Sequence, residues 1–339
     1  MDASLRSRLR KLTALAAVTC TAIAVLYWAA LQLVGERWWL SGALLYAPHL
    51  VLLVPTVALL LPLLWWGPRR LLPVQGAAGA LVVFQIMGLT LAGPAAQTPG
   101  APRMRILSAN AGNGGRAVAE LAAEIARLEP DLVLLQESAP QVNEAVAAAL
   151  PGFHTLTSTQ FFVAARDPIT NLIEPPKIAM GTTERSPRFI QVTLHTALGE
   201  LDVFNVHPIS PRDALEAVRG DGLGAERGEI TSNTELRRRQ VQAIAAAAAT
   251  AAHPVVIAGD TNLPHGSRIL AESLSRWQDG FAAVGRGFGY TFPVGRHFAW
   301  MRIDWILAGP ELRFLRFGTG HRRGSDHYLV WADVERPPR

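Results

Sequence analysis

The amino-acid sequence predicts an α/β sandwich domain preceded by an all-α, membrane-embedded region. Two observations carry that expectation. Three long stretches without a charged residue crowd the first hundred positions. Beyond them, apolar strand-like runs alternate with helix-like runs around one hairpin-like pair, a pattern of sandwiched sheets and helices rather than a barrel. Mean hydropathy is +0.20 over 339 residues, and the apolar excess is localised at the N-terminal side.

The uncharged stretches cover residues 13–34, 43–66 and 74–92. Each approaches the roughly 20 residues that a helix needs to cross a bilayer, so three transmembrane helices are expected. Trp38, Trp39, Trp65 and Trp66 stand at their ends, where amphipathic rings favour the membrane interface. The first stretch is too long for the apolar core of a signal peptide. Arg6, Arg8, Arg10 and Lys11 precede it, Arg69 and Arg70 lie between the second and third, and the first connection offers Arg37 beside Glu36. By the positive-inside rule the N-terminus is cytoplasmic, and three crossings would put the rest of the chain outside the cytoplasm, on a multi-pass protein of the cell membrane. The expected organisation is a membrane region over 1–92, a Pro-, Gly- and Ala-rich linker over 93–102, and one large domain over 103–339.

Charge supports that division. Residues 1–100 hold 7 Lys/Arg against 2 Asp/Glu, and residues 101–339 hold 25 of each. The net charge of +5 is therefore a topology signal, and the large domain lacks the overall basicity that marks a polyanion binder. Cys20 is the only cysteine, so the large domain has neither a disulfide framework nor a thiol nucleophile.

Within that domain, residues 104–110 read as a short strand. Val118, Leu121, Ala122, Ile125 and Leu128 share one helical face, and residues 132–137 form a continuous apolar strand suited to burial on both faces. Residues 189–195 and 200–207 predict a β-hairpin. Residues 211–235 are polar and Gly-bearing and read as a long exposed loop. Residues 237–252 predict a helix, with Arg237, Arg238 and Arg239 as its solvated start. Residues 255–260, 301–307 and 327–334 read as further strands.

Several of these strands end in a residue able to do chemistry: Asn110, Glu137, His207, Asp260 with Asn262, Asp304, and Asp326 with His327. A rigid sheet aims side chains while the loops leave room for substrate. One Asp after a strand is usually a turn former, but the same habit at so many strand ends points to a site.

The segments "LSANAGN", "LVLLQE", "FNVHPISP", "IAGDTNLP", "RIDWIL" and "GSDHYLV", in that order, resemble the motif set of the endonuclease/exonuclease/phosphatase family, which includes deoxyribonuclease I-like and neutral sphingomyelinase-like enzymes. The resemblance spans about residues 103–335 and is nearest to a membrane-anchored bacterial branch. It implies a four-layer α/β sandwich, two packed β-sheets flanked by helices, and hydrolysis of phosphate esters. That chemistry needs a metal to offset charge, an oriented water and a proton donor. By resemblance Glu137 is the principal ligand of Mg²⁺, with Mn²⁺ as the alternative ion, and Asn110 and Asp326 lie at the ion; hard oxygen donors suit it. Asp260 would orient or deprotonate the attacking water, and Asn262 would hold a phosphoryl oxygen. His327 would contact the phosphoryl group with Asp304 fixing its tautomer, and His207 would be a general acid or a phosphate ligand. Thr291 in "GYTFP" and Arg323 before "GSDH" are candidate phosphate contacts.

Two departures bear on substrate. The family's abasic-site endonucleases carry an aromatic residue where His207 stands and an acidic residue where Gly112 stands, so that activity is not expected. The leading expectation is a membrane-anchored, Mg²⁺-dependent phosphoesterase acting outside the cytoplasm, on a bilayer whose lipid head groups are candidate substrates, with no protein partner called for. The alternatives are an extracytoplasmic nuclease and, in another class, a non-catalytic phosphate-binding or sensory module on a membrane anchor. Competent residue types at every central motif position argue against the last.

Overall fold

The computed structural model describes residues 2–112, 117–217, 226–294, 298–320 and 325–337. The chain divides into two units, one formed by Met1–Leu89 with His265–Arg268, the other by Thr90–Pro264 with Ile269–Arg339.

The first unit is helical. Helix α1 (Ala3–Ala29) is prolonged by a π-turn over Ala30–Val34, and four shorter helices follow: α2 (Trp39–Leu44), α3 (Leu50–Ala58), α4 (Leu60–Trp65) and α5 (Leu72–Ala80), the last continued by a π-turn over Leu81–Ile86. Three spans are expected from the sequence. Among the described residues one helical run, Ala3–Arg37, is long and apolar enough to cross a membrane, and Leu50–Trp65 is a shorter apolar run. The second stretch is interrupted because Pro55 and Pro62 fall inside it and each removes a backbone donor. In the third, helical structure stops at Ile86, short of the end of the apolar stretch at 92. Polar side chains tie these helices together: Thr21 donates to Gln75 at 3.2 Å, Gln75 to the Thr56 carbonyl at 3.0 Å, and the Trp66 indole to Thr13 at 3.0 Å.

The second unit contains two mixed sheets flanked by helices, an α/β fold. One sheet comprises β1 (Arg103–Asn110), β2 (Leu132–Gln136), β3 (His154–Ser158), β4 (Phe161–Ala165), β13 (Arg313–Thr319) and β14 (Val330–Glu335), in the order β13-β14-β1-β2-β4-β3. The other comprises β5 (Ile169–Ile173), β8 (Phe189–Thr196), β9 (Gly199–Val206), β10 (Val255–Asp260), β11 (Gln278–Asp279) and β12 (Asp304–Ala308), in the order β11-β12-β10-β9-β8-β5. A separate ribbon pairs β6 (Ile178–Met180) with β7 (Thr183–Arg185). Strands β1 and β2 run parallel, as do β9 and β10.

Period-2 alternation explains the layers. In β1 and β2, Met104, Ile106, Leu132 and Leu134 meet Val192, Val203, Val256 and Ile306 of the other sheet. Leu107, Ala109, Val133 and Leu135 face the opposite way, onto α6 (Val118–Arg127) and α7 (Pro140–Ala149). Phe204, Ile257 and Trp305 do the same for the second sheet, against α9 (Glu226–Ala249) and α10 (Arg268–Leu274). Strand β2 is therefore buried on both faces, which is why its sequence is an unbroken apolar run.

The sheet–sheet interface turns polar towards the ends of β1 and β2. The Gln136 amide donates to Asn205 Oδ1 at 2.7 Å and to Ser108 Oγ at 3.1 Å, and the Asn205 amide donates to the Leu135 carbonyl at 3.1 Å. All three residues are fully buried.

Three sequence expectations are changed here. The stretch 211–235 is not a long loop: α8 (Arg212–Ala217) occupies its start and α9 begins at Glu226, with residues 218–225 outside the described set. The buried stripe of α9 includes Ile230, Thr234, Arg237, Val241 and Ile244; polar residues at two of those positions mask its amphipathic period. Arg237 is accordingly not solvated. It is 1% exposed and donates to the Ile209 carbonyl at 3.1 Å and to Asn233 at 2.9 Å. Residues 93–102 have no helix or strand, yet they are fastened to the second unit: Ala95 N–H donates to the Leu315 carbonyl at 2.8 Å and Thr98 N–H to Glu335 at 3.0 Å.

Candidate active site

The strand ends of the two sheets bring together Asn110 and Glu137 from β1 and β2 with His207, Asp260, Asn262 and Asp304 from β9, β10 and β12. His327, in the approach to β14, completes the set. Asp260 is the hub. Its Oδ2 accepts from the Asn110 amide at 3.0 Å, and its Oδ1 accepts from the Asn262 backbone N–H at 2.8 Å. His207 Nε2 and His327 Nε2 each lie 3.6 Å from Oδ2. Asp260 faces Asp304 directly across the β10–β12 pair.

Local backbone geometry explains how these residues converge. Gly259 has φ +152°, and a Cβ there would sit 1.9 Å from the Val206 carbonyl oxygen, so only glycine lets β10 approach β9 at this point. Glu137 and Asn262 both adopt positive φ, +47° and +54°. Non-glycine residues in that region cost free energy and persist where the surroundings impose them, often at functional sites. The turn aims the Asn262 amide back to the Pro208 carbonyl at 3.0 Å.

The two histidines have opposite electrostatics. His327 Nδ1 pairs with Asp304 Oδ2 at 2.9 Å. Burial alone would lower its pKa, but Asp304 and then Asp260 outweigh it and push it up to about 10, so the ring is an imidazolium at neutral pH. His207 Nδ1 instead faces the amide oxygen of Gln160 at 2.7 Å. Nδ1–H donates there, and Nε2 faces Glu137 at 3.4 Å and Asp260 at 3.6 Å. Burial pushes His207 down to about 4 despite Asp260. Burial also holds the Asp260 carboxyl above its usual range, against the pull of His327.

The donor set fits a hard divalent cation. The Glu137 and Asp260 carboxylates converge on one nitrogen of His207, at 3.4 and 3.6 Å, with the Asn110 side chain on Asp260 at 3.0 Å. Asp260 and Asp304 also lie within 4.8 Å of His327, whose charged ring is their partner and not a ligand, and the buried Asp304 Oδ1 has no hydrogen-bond partner among the described residues. Like charges gathered this closely are offset by a cation, and oxygen donors select Mg²⁺-type ions.

Other expected contacts fall elsewhere. Thr291 is fully buried, and its hydroxyl accepts from the backbone N–H groups of Ile303 and Asp304 at 3.3 and 3.4 Å. It braces Asp304 from beneath instead of facing a substrate, because a strand-like pairing of its own backbone with Met301 turns it inward. Asp326 is paired with Arg212 at 2.8 Å, and its Oδ1 lies 3.9 Å from His327 Nε2. Partial burial would raise its pKa, but His327 and Arg212 hold it below the usual carboxylate range. Arg323 lies outside the described residues.

Sequence reasoning missed four participants. Gln136 and Asn205 brace the site from below, and each carries a signal: an amide at a buried position of an otherwise apolar strand. Gln160 follows Thr159, which has φ +52°, in a two-residue turn between β3 and β4 that no pattern marks. Arg212 stands in the stretch expected to be a loop.

The sequence profile of the "Endonuclease/Exonuclease/phosphatase family" matches residues 107–327, more than half of the chain. No curated protein matches it. Among solved structures, a humanized TDP2 of D. rerio is similar at 17% identity, covering 68% of this chain and 98% of that one with a TM-score of 0.53. An endonuclease/exonuclease/phosphatase from Bacteroides vulgatus is similar at 17% identity, covering 70% and 100% with a TM-score of 0.51. D. rerio TDP2 complexed with a single-strand DNA product is similar at 16%, covering 68% and 98% with a TM-score of 0.50. At these identities the likeness is one of fold.

Proposed function

Because the chain belongs to the endonuclease/exonuclease/phosphatase family, we propose that it is a membrane-anchored phosphoesterase that uses a divalent cation, Mg²⁺, and acts outside the cytoplasm. The observation that carries this reading is the Asp304–His327–Asp260 chain, with a cationic imidazole between two buried carboxylates at the ends of two sheets.

Glu137 and Asn110 would hold the ion, which supplies charge neutralisation at the phosphoryl oxygens. Asp260 would orient the attacking water and draw its proton, a role supported by its raised pKa, which makes it a better base than an exposed aspartate. The His327 imidazolium donates through Nε2 to a phosphoryl oxygen as charge develops there, while Asp304 keeps Nδ1 protonated. The Asn262 amide, which donates to the Pro208 carbonyl at 3.0 Å and lies 3.5 Å from Asp260 Oδ2, would turn its second N–H from Asp260 to that oxygen. His207, with Nδ1–H committed to Gln160, offers Nε2 towards the cleft.

Anchoring rests on Ala3–Arg37, the apolar run that follows it, and the arginines preceding the first helix. The three-span topology with an extracytoplasmic domain is part of the proposal. It places the site near head groups, and the equal count of acidic and basic residues over 101–339 favours a phosphorylated head group over nucleic acid.

The test is a screen of the full chain in detergent, with Mg²⁺ or with EDTA, against phospholipids, nucleic acids and generic phosphoesters. Mg²⁺-dependent turnover abolished by Asp260→Ala is expected. No turnover on any substrate, or full activity of that variant, would overturn the proposal. Degradation of nucleic acid with steep salt sensitivity would move the substrate to the nuclease class.

A further inference from the structure

We propose that Arg212 is a specificity-determining residue that recognises the second negative charge of a phosphate monoester, so that this site takes monoester dianions in preference to diesters. The inference rests on the phosphoesterase reading above and names its substrate class.

The argument starts from position. Arg212 opens α8, five residues after His207, and its guanidinium lies 2.8 Å from Asp326 Oδ2 and 5.5 Å from the centre of the Phe292 ring. That ring packs on His327 with 4.7 Å between centroids. Arg212 is thus one aromatic ring away from the imidazolium proposed to touch the phosphoryl group.

The ion pair with Asp326 is solvent-accessible, with side chains 51% and 43% exposed. Exposed pairs of this kind contribute little, so an arriving phosphate can replace the carboxylate at small cost. A guanidinium presents two parallel donors that match two phosphate oxygens. Asp326 is adjacent in sequence to His327, and its Oδ1 lies 3.9 Å from His327 Nε2; an anion that takes its place on Arg212 arrives beside that imidazole.

Charge then decides the class. Glu137, Asp260, Asp304 and Asp326 gather four acidic side chains around the two histidines. A diester brings one negative charge, which a divalent ion would accommodate. A monoester brings a second charge on a terminal oxygen that a diester replaces with an ester group. Without Arg212 that oxygen would face Asp326 and Glu137 and be repelled. With Arg212 it has a fixed cation, braced on Phe292.

The experiment compares p-nitrophenyl phosphate with bis(p-nitrophenyl) phosphate on the full chain in detergent with Mg²⁺, for wild type, Arg212→Ala and Arg212→Lys. Wild type should prefer the monoester. Arg212→Ala should raise the monoester KM about tenfold or more with little change in kcat, while diester kcat/KM changes by less than about twofold. Arg212→Lys should recover part of the monoester KM, since it restores charge without the planar fork. Equal losses on both substrates, or no change on either, would overturn the specificity role while leaving the phosphoesterase reading intact. A wild type inactive on both, or one that prefers the diester, would overturn the monoester preference, while the phosphoesterase reading stands or falls on the wider screen described above. If Arg212→Ala does not fold, the ratio of monoester to diester KM in Arg212→Lys decides: a value equal to that of wild type overturns the proposal.

Discussion

Replacing Asp304 by Asn isolates the charge that holds His327 as an imidazolium. The carboxylate lies 2.9 Å from Nδ1, and an amide oxygen of the same shape keeps that hydrogen bond, so the ring stays oriented while its counter-charge is lost. Asp304 is the first of the groups that raise the pKa of His327 from 6.5 to about 10. A rise of that size corresponds to about 5 kcal/mol of preference for the charged ring, part of which is returned by the buried Asp260 carboxyl, held above its usual value. Because the folded pKa lies above the unfolded one, the stabilisation is full below pH 6.5 and is lost as pH rises towards 10. Wild-type melting temperature should therefore fall across pH 6.5–10, and that of Asp304→Asn should fall less. In a kcat–pH profile the alkaline limb should move from near 10 towards neutrality, and kcat at pH 8 should drop on the order of 10²- to 10⁴-fold. An unchanged alkaline limb in a folded Asp304→Asn variant would refute both the imidazolium assignment and the role of Asp304 in sustaining it.

Other perturbations probe the remaining parts of the site. Gly259→Ala places a Cβ 1.9 Å from the Val206 carbonyl oxygen at φ +152°, so it should destabilise the fold by about 3 kcal/mol or more, read as a fall of about 10 °C in melting temperature; a shift within 2 °C of zero, counted as roughly the noise of such a scan, would contradict the close approach. Glu137→Gln removes a hard anionic donor and should raise the Mg²⁺ concentration for half-maximal activity by about tenfold or more, measured by titrating metal into the EDTA-treated protein. Gln160→Glu puts a carboxylate 2.7 Å from His207 Nδ1 and should raise the pKa of that ring from about 4, as read by NMR titration of its imidazole signals.

Much of this architecture is legible from residue patterns because burial dictates them. Strand β2 reads as a double-faced buried strand, and the hairpin of β8 and β9 reads from its alternation around "TALG". The residues at the strand ends read as a group because each interrupts an apolar run at the point where the sheet stops. What stays hidden follows from tertiary context. Gln160 acts only because β4 lies in the other sheet from His207, a proximity with no trace in local sequence. The stripe of α9 is hidden by Arg237, whose burial depends on the Ile209 carbonyl and Asn233. Thr291 looked like a phosphate contact because hydroxyls near motifs often are, and only the backbone pairing at Met301 decides that it points inward. The second and third apolar stretches read as spans by composition alone; Pro55 and Pro62 break up the helices of the second, and the third stops at Ile86.

The hydrogen bond from Gln136 to Asn205 gives the sandwich a property that its apolar residues cannot. Hydrocarbon faces attract without direction, so two sheets held by Val, Ile and Leu alone have several near-equal offsets. The residues proposed to act are divided between the sheets, with Asn110, Glu137 and His327 on one and His207, Asp260 and Asp304 on the other. A slip of a single residue, about 3.3 Å along a strand, would part Asn110 from Asp260. The Gln136 amide meets Asn205 Oδ1 in this alignment and would lose that partner in any other, so the pair acts as a locating pin between the two halves. Sheets docked at any other offset would contain every one of these residues without their convergence on Asp260.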